Sequence, residues 1–178
     1  MTADVNLPNK DVFLSIGSNI DPIRNVPLAI EKIAELGQII SVAGMYWNPA
    51  IGSLPQPDYL NTAVLLETAY EPLELKSHLK AIEYKLGRKR RSSRNSARPI
   101  DIDIVLFGSR FINTPELTIP DPNLMTFAHI AVPIAELYPE YLHPQCCKPL
   151  SAIADHVIIP DRFVRMEDGE IPVKYERR

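Results

Sequence analysis

The chain has 178 residues, a formal net charge of −3 (19 basic against 22 acidic residues) and 46% hydrophobic residues. This length fits a single domain, and the hydrophobic fraction excludes a chain that is disordered throughout. The first residues lack the features of a signal peptide, no stretch approaches the ~20 apolar residues of a membrane span, and the acidic balance argues against general nucleic-acid binding. We expect one cytoplasmic domain over 1–178, with 1–10 as an N-terminal tail.

The first half of the chain alternates between strand and helix patterns. Asp21 followed by Pro22 predicts a helix N-terminus, with Asp21 as the capping residue. Gly87 stands where a helix C-cap belongs. The predicted elements are a strand over 12–16, a helix over 21–37, strands over 39–47 and 59–68, and a helix over 71–87.

The second half contains shorter elements between prolines, of which the chain has seventeen, about twice the usual share. We predict a strand over 99–107, a partner strand at 111–112 across a turn at 108–109, a helix over 130–137 and a peripheral C-terminal extension over 160–178. The order strand, helix, strand, strand, helix, strand is typical of the split βαβ arrangement. The predicted fold is therefore α+β, a ferredoxin-like α/β sandwich with a mainly antiparallel sheet and helices packed on both faces.

One stretch carries most of the chemical information. Six basic residues lie within 88–98, a segment without an acid or an apolar face: Arg88, Lys89, Arg90, Arg91, Arg94 and Arg98. Asp101 and Asp103 follow on the predicted strand, on one face and about 6.5 Å apart. Two like charges this close repel unless a cation lies between them, and Mg²⁺ binds such a pair with water and phosphate oxygens. Carboxylates, Mg²⁺ and arginines are the groups that phosphoryl transfer requires.

Simpler interpretations exist for each feature alone. A run of basic residues is often only a solvated loop, and an Asp-x-Asp pair is often only an exposed strand face. Their adjacency favours a polyphosphate site.

The segment 98–108, Arg-Pro-Ile-Asp-Ile-Asp-Ile-Val-Leu-Phe-Gly, resembles the signature of the hydroxymethyl-dihydropterin pyrophosphokinases (HPPK) of folate biosynthesis. The resemblance continues in order along the chain, over 14–19, 46–49, 56–61, 82–88 and 119–139. It implies a single pyrophosphokinase domain in which ATP, as co-substrate, gives its β,γ-diphosphate to the pterin hydroxymethyl group and leaves as AMP. It also implies a pair of Mg²⁺ ions, small-molecule partners only, and a monomer or weak homodimer.

The resemblance further implies roles for individual residues. The metal ligands would be Asp101 and Asp103, and the catalytic residues would be Arg90, Arg98 and Asp103, with Asp103 also accepting the hydroxyl proton. The ATP-binding residues would be Glu83, Arg88, Arg90, Arg98, Ile104 and Thr118. The pterin-binding residues would be Asn48, Pro49, Ile51, Tyr59, Asn61 and His129.

Four positions depart from the family pattern. Asp121, Phe127 and His129 stand where the family usually has His, Arg and a stacking Phe, and Asn95 stands where many bacterial members have Trp. A carboxylate at 121 would repel a polyphosphate unless a cation intervenes. A non-catalytic or altered-substrate paralogue that binds a pterin or a nucleotide therefore stays open as an alternative, and nucleic-acid binding through 88–98 is a third hypothesis.

Overall fold

A computed structural model describes residues 11–52, 55–89 and 96–167. The strands are β1 (Asp11–Ser18), β2 (Gln38–Val42), β3 (Tyr46–Asn48), β4 (Tyr59–Glu67), β5 (Asp101–Phe107), β6 (Ile112–Asn113), β7 (Thr118–Ile119) and β8 (Val164–Arg165). The helices are α1 (Pro22–Ile33), α2 (Pro72–Lys85), α3 (Ala128–Leu137) and α4 (Leu150–Ala154). None of the helices within these residues is long and apolar enough to cross a membrane.

The main sheet has the order β5-β1-β4-β3-β8, with β2 also paired to β4, and every pairing is antiparallel. The strands nearest the two helical crossovers, β1 and β4, lie in the centre, as the split βαβ arrangement requires. The predicted α+β fold, a ferredoxin-like sandwich, is confirmed.

The sheet separates two hydrophobic cores, because alternate residues of each strand point to opposite faces. On one face, β-strand residues such as Leu14 and Ile102 pack against α1 and α2. On the other face, Phe13 and Val105 pack against α3 and α4. Helices therefore cover both faces, and the polar residues of β5 project from the α3 face.

One local prediction was wrong, and a second, the N-terminus of α1 at Asp21 and Pro22, was confirmed in position but not in its side-chain cap. Residues 111–112 do not pair with β5; β6 pairs with β7 through Ile112 and Ile119. The outer edge of β5 is already in use, since the Val105 carbonyl accepts a hydrogen bond from the Asp121 N–H (2.9 Å). Asp21 does precede α1, but its backbone is left-handed (φ 46°) and its side chain makes no capping hydrogen bond.

The C-terminal extension is part of the sheet where it is described. β8 adds an edge strand beside β3, and the Phe163 ring stacks on Tyr46 with 4.8 Å between centroids. Residues 160–167 are thus attached to the domain through backbone pairing and an aromatic contact. The tails at 1–10 and 168–178 lie outside the described residues.

Candidate active site

Strand β5 presents two carboxylates to one side of the sheet. Ile102 and Ile104 are buried (1% and 5% exposed) in the core beneath α2, whereas the side chains of Asp101 and Asp103 are 19% and 56% exposed on the opposite face. The alternation of isoleucine and aspartate in the sequence produces this division directly. The predicted pairing of the two carboxylates on one face is confirmed.

Helix α2 runs beside β5, which lies at the end of the sheet order, and is joined to the outer edge of that strand through Glu83. The Glu83 side chain is 2% exposed, and its Oε1 accepts a hydrogen bond of 2.8 Å from the Ile102 N–H. The same carboxylate pairs with Lys80 (2.7 Å) and with Arg88 (2.6 Å). Glu83 therefore positions two cations beside the Asp101 and Asp103 carboxylates.

Asp101 is the most strongly paired carboxylate of the site. Arg88 and Arg98 both bond to it, one through each carboxylate oxygen. Burial acts to raise the pKa of Asp101, but the positive charges of Lys80, Arg88 and Arg98 together outweigh burial and lower it. Asp101 is therefore ionised throughout the neutral range.

Asp103 behaves differently. Although more than half of its side chain is accessible, desolvation by the surrounding protein raises the pKa of this carboxyl, and the neighbouring charge of Asp101 raises it further. Without a bound metal, the pKa values of the two carboxyl groups are thus shifted in opposite directions.

The donor set fits a divalent cation. One nitrogen, Lys80 Nζ, lies 3.7 Å from Asp101 Oδ1 and 3.6 Å from Asp103 Oδ1, so both carboxylates point at a single cation position. Within 11–52, 55–89 and 96–167, no three His, Cys, Asp or Glu side chains form a group that could hold a metal by themselves. Two carboxylates with open positions for water and phosphate suit Mg²⁺ better than Zn²⁺, which takes three or four protein ligands.

Two cavities meet at these carboxylates. The first, which we call the aromatic cavity, has a volume of about 650 Å³ and contains Tyr59, Phe127 and His129 in its wall. The second, the lysine cavity, has a volume of about 490 Å³ and contains Lys76 and Lys80. Both are lined by Asp103, Asp121 and Asn123, so two ligands bound side by side would touch across this shared wall.

The polar end of the aromatic cavity is formed by two buried asparagines from neighbouring strands. The Asn61 amide donates to Asn48 Oδ1, and the Asn48 amide donates to the Pro49 carbonyl (2.8 Å). Gly17 faces this pair on β1, where an added Cβ would lie 2.7 Å from Asn61 Oδ1. The glycine thus leaves room for the Asn61 amide in its present orientation.

The opposite end of the aromatic cavity is formed by α3 and the turn before it. The Phe127 and His129 rings lie 5.5 Å apart, centroid to centroid. Burial lowers the pKa of His129 to about 4, so the imidazole is neutral at physiological pH. A neutral, flat ring offers an uncharged stacking surface to a ligand in this cavity.

Asp121 adds a third carboxylate at the shared wall. Its side chain accepts a hydrogen bond from the Asn123 N–H (2.9 Å) and caps the short 3-10 turn Pro122–Met125. Desolvation raises the pKa of Asp121, and the charge of Asp103 contributes in the same direction. A carboxylate at 121 therefore places its negative charge on the wall of both cavities.

Comparison of the whole sequence with known proteins identifies its family. The family model described as 7,8-dihydro-6-hydroxymethylpterin-pyrophosphokinase (HPPK) matches residues 13–139. The chain belongs to the HPPK family. The 2-amino-4-hydroxy-6-hydroxymethyldihydropteridine pyrophosphokinase of Aquifex aeolicus is 36% identical over 140 residues, 78% of this chain and 87% of that protein. Its Synechocystis counterpart is 33% identical over 147 residues, 81% of this chain and 74% of that protein.

Solved structures of the family share the fold. The crystal structure of Plasmodium falciparum HPPK-DHPS with pteroate matches with a TM-score of 0.66 and 13% sequence identity, over 82% of this chain and 44% of that chain. The present chain thus spans less than half of that solved protein. At this identity the likeness supports the HPPK fold alone.

The HPPK-type site residues predicted from the sequence are distributed over these cavities. Five of the six predicted pterin residues line the aromatic cavity: Asn48, Ile51, Tyr59, Asn61 and His129. Pro49 is adjacent and contributes its carbonyl to Asn48. Of the predicted ATP residues, Ile104 and Thr118 line the lysine cavity, Arg98 lines the aromatic cavity, and Glu83 and Arg88 line a third hollow beside Lys80. Arg90 lies outside the described residues, as does Asn95.

The sequence interpretation missed two residues that organise the HPPK site. Lys80 approaches both signature carboxylates, and the only sequence signal for it is its three-residue spacing from Glu83 on one helix. Asn19 accepts the Arg98 N–H on its Oδ1 (2.6 Å) and donates to the Gln56 side chain and the Pro57 carbonyl. It therefore links the backbone of Arg98 to the loop that leads into β4.

Proposed function

We propose that this HPPK-family chain transfers the β,γ-diphosphate of ATP to the hydroxymethyl group of 6-hydroxymethyl-7,8-dihydropterin, in an Mg²⁺-dependent step of folate biosynthesis. The pterin would occupy the aromatic cavity and the nucleotide the lysine cavity. The products would be the pterin diphosphate and AMP.

One observation carries the proposal: the two cavities share a wall that contains Asp103, beside Asp101. A group transferred directly between two ligands must pass through a region that both ligands reach. Here that region lies at the carboxylate pair that fits a cation, with Arg98 bonded to one member of the pair. Such an arrangement favours catalysis by positioning and charge stabilisation over a covalent enzyme intermediate.

The chain's own groups would act as follows. The Asn61 and Asn48 amides supply donors and acceptors that suit the amide-like edge of a pterin, and Tyr59 and His129 supply ring surfaces. The pterin hydroxyl oxygen attacks the β-phosphorus, the bond from that phosphorus to the oxygen bridging the α- and β-phosphates breaks, and AMP leaves. Asp103 receives the hydroxyl proton, since its carboxylate lies on the wall that both cavities share.

Two arginines would serve the phosphates. Arg88 and Arg98 are held on Asp101, and their forked guanidinium groups match phosphate oxygens. Arg90 is the third arginine that the family pattern implies for the phosphates. Asp101 and Asp103 would hold Mg²⁺, which would neutralise charge on the phosphate oxygens as the transfer proceeds.

Substitutions of the carboxylates test the proposal. With ATP, Mg²⁺ and the dihydropterin alcohol, we expect Asp101→Asn and Asp103→Asn each to lower the rate of AMP release by about 100-fold or more. Asp155→Asn is the matched control, because Asp155 is an exposed residue at the end of α4. Near-normal AMP release by both site variants, with native circular dichroism spectra, would remove the carboxylates from the mechanism.

A second candidate function rests on Asp121. Its carboxylate lines both cavities, so it places negative charge where polyphosphate would bind. A paralogue that binds a pterin but transfers no diphosphate would show calorimetric binding of the dihydropterin with no binding of an ATP analogue in Mg²⁺. Binding of both ligands together with AMP release excludes this candidate.

A further inference from the structure

Lys80 lies at the centre of the carboxylate group, although it belongs to the helix behind the strand. Its Nζ is 2.7 Å from Glu83 Oε1 and within 3.7 Å of one oxygen each of Asp101 and Asp103. Its ammonium group therefore occupies the position at which both strand carboxylates point. A lysine ammonium group is positively charged at neutral pH, so it can neutralise the carboxylates that it faces.

The same side chain also faces the proposed nucleotide. Lys80 lines the lysine cavity together with Thr118 and Asp103, and 39% of its side chain is accessible. A lysine carries a compact charge on a flexible four-carbon stem, so its nitrogen can exchange partners without moving the helix. Both the carboxylates and a bound polyphosphate would be within the reach of one side chain.

We propose that Lys80 is an exchangeable counter-ion of this active site, an inference that rests on the proposed function. In the metal-free protein its ammonium group neutralises the Asp101 and Asp103 carboxylates. An Mg²⁺ ion arriving with the nucleotide takes over those carboxylates, and the ammonium group turns to the phosphates in the lysine cavity. Metal and nucleotide then bind cooperatively. The nucleotide phosphates accept the ammonium group that the metal displaces, and the metal neutralises the carboxylates that would otherwise repel the phosphates.

The test measures two affinities with opposite expected changes. Calorimetry gives the Mg²⁺ affinity without nucleotide, and the affinity for α,β-methylene-ATP at saturating Mg²⁺, for the wild type and for Lys80→Met. Methionine keeps an unbranched apolar stem and removes the charge. Lys85→Met is the matched control, since Lys85 is an exposed lysine in the last turn of the same helix.

We expect Lys80→Met to bind Mg²⁺ alone about ten-fold more tightly and the nucleotide analogue about ten-fold more weakly, each equal to about 1.4 kcal/mol. Lys85→Met should stay within about two-fold of the wild type for both ligands, as expected for a distant exposed charge. In a chelator Lys80→Met should unfold at a lower temperature than the wild type, and Mg²⁺ should raise its unfolding temperature by more.

Several results would overturn the inference. A loss of affinity for both ligands would show that Lys80 only supports the site, and unchanged affinities would show that it takes no part. If Lys80→Met does not fold, Lys80→Gln replaces it and removes the same charge: tighter Mg²⁺ binding with weaker binding of the analogue supports the exchange, and unchanged affinities or a loss of both overturn it. If neither the wild type nor the variant binds Mg²⁺, with or without the analogue, the proposed function is overturned as well.

Discussion

Replacement of Glu83 tests how the active site is built. Glu83→Ala removes the acceptor of the Ile102 N–H, which becomes a buried unsatisfied donor at a cost of about 1–3 kcal/mol. It also removes one buried methylene group, worth about 0.8 kcal/mol. The expected loss in the free energy of unfolding is therefore about 3 kcal/mol, or roughly 6–12 °C in the unfolding temperature for a chain of this size.

Glu83→Gln separates the hydrogen bond from the charge. The amide oxygen can still accept the Ile102 N–H, whereas the pairs with Lys80 and Arg88 lose their charge. Burial raises the pKa of Glu83 despite the opposing effect of Lys80, so the buried charge itself costs stability at neutral pH. We therefore expect Glu83→Gln to cost less than about 1 kcal/mol.

Urea denaturation of both variants at pH 7, followed by circular dichroism, provides the measurement. The difference between the alanine and glutamine variants decides the interpretation, because only the alanine variant leaves the strand N–H without a partner. Equal losses for both variants, or a loss below 1 kcal/mol for alanine, would refute the view that Glu83 ties α2 to the edge of β5.

Three further substitutions test the two cavities. Gly17→Ala should weaken dihydropterin binding by about ten-fold, because its Cβ displaces the Asn61 amide, while the ATP-analogue affinity measured by calorimetry stays constant; unchanged pterin affinity contradicts this. His129→Phe should flatten the pH dependence of stability. His129 has a pKa of about 4 when folded and about 6.5 when unfolded, so between these values the unfolded state binds the proton, and wild-type stability rises with pH by up to about 3 kcal/mol. If urea titrations give parallel pH profiles of stability for the wild type and the variant, the lowered pKa of folded His129 is disproved. Asp121→Asn keeps an acceptor for the Asn123 N–H and removes one negative charge, so binding of the ATP analogue should tighten by about three- to ten-fold. Weaker binding would show instead that the carboxylate assists the nucleotide.

The site on β5 could be predicted because its pattern is local. Ile102 and Ile104 alternate with Asp101 and Asp103, and alternation on a strand determines which side chains are buried together. The helix α2 was likewise predictable from its apolar spacing and from Gly87, whose backbone has a positive φ of 98°. Local periodicity thus predicted the strand that carries the two carboxylates and the helix that flanks it.

The other features of the site depend on contacts between segments that are distant in the sequence. Lys80 meets the carboxylates only because α2 runs along an edge strand, and the helical pattern alone does not show which strand a helix will flank. The pairing of Asn48 with Asn61 depends on the β3–β4 register, which brings the two strands together across a loop. The predicted hairpin at 108–112 was wrong for the same reason, since a segment distant from β5 in the chain, at Asp121, occupies its outer edge.

The central claim is that a nucleotide in the lysine cavity gives its diphosphate to a pterin in the aromatic cavity, at the wall that the two cavities share. The most direct measurement is mass spectrometry of both products after incubation of the chain with ATP, Mg²⁺ and 6-hydroxymethyl-7,8-dihydropterin. We predict AMP and a pterin that carries two phosphoryl groups, formed in a 1:1 ratio. ADP with a singly phosphorylated pterin, or AMP accompanied by free diphosphate and unchanged pterin, would contradict the account.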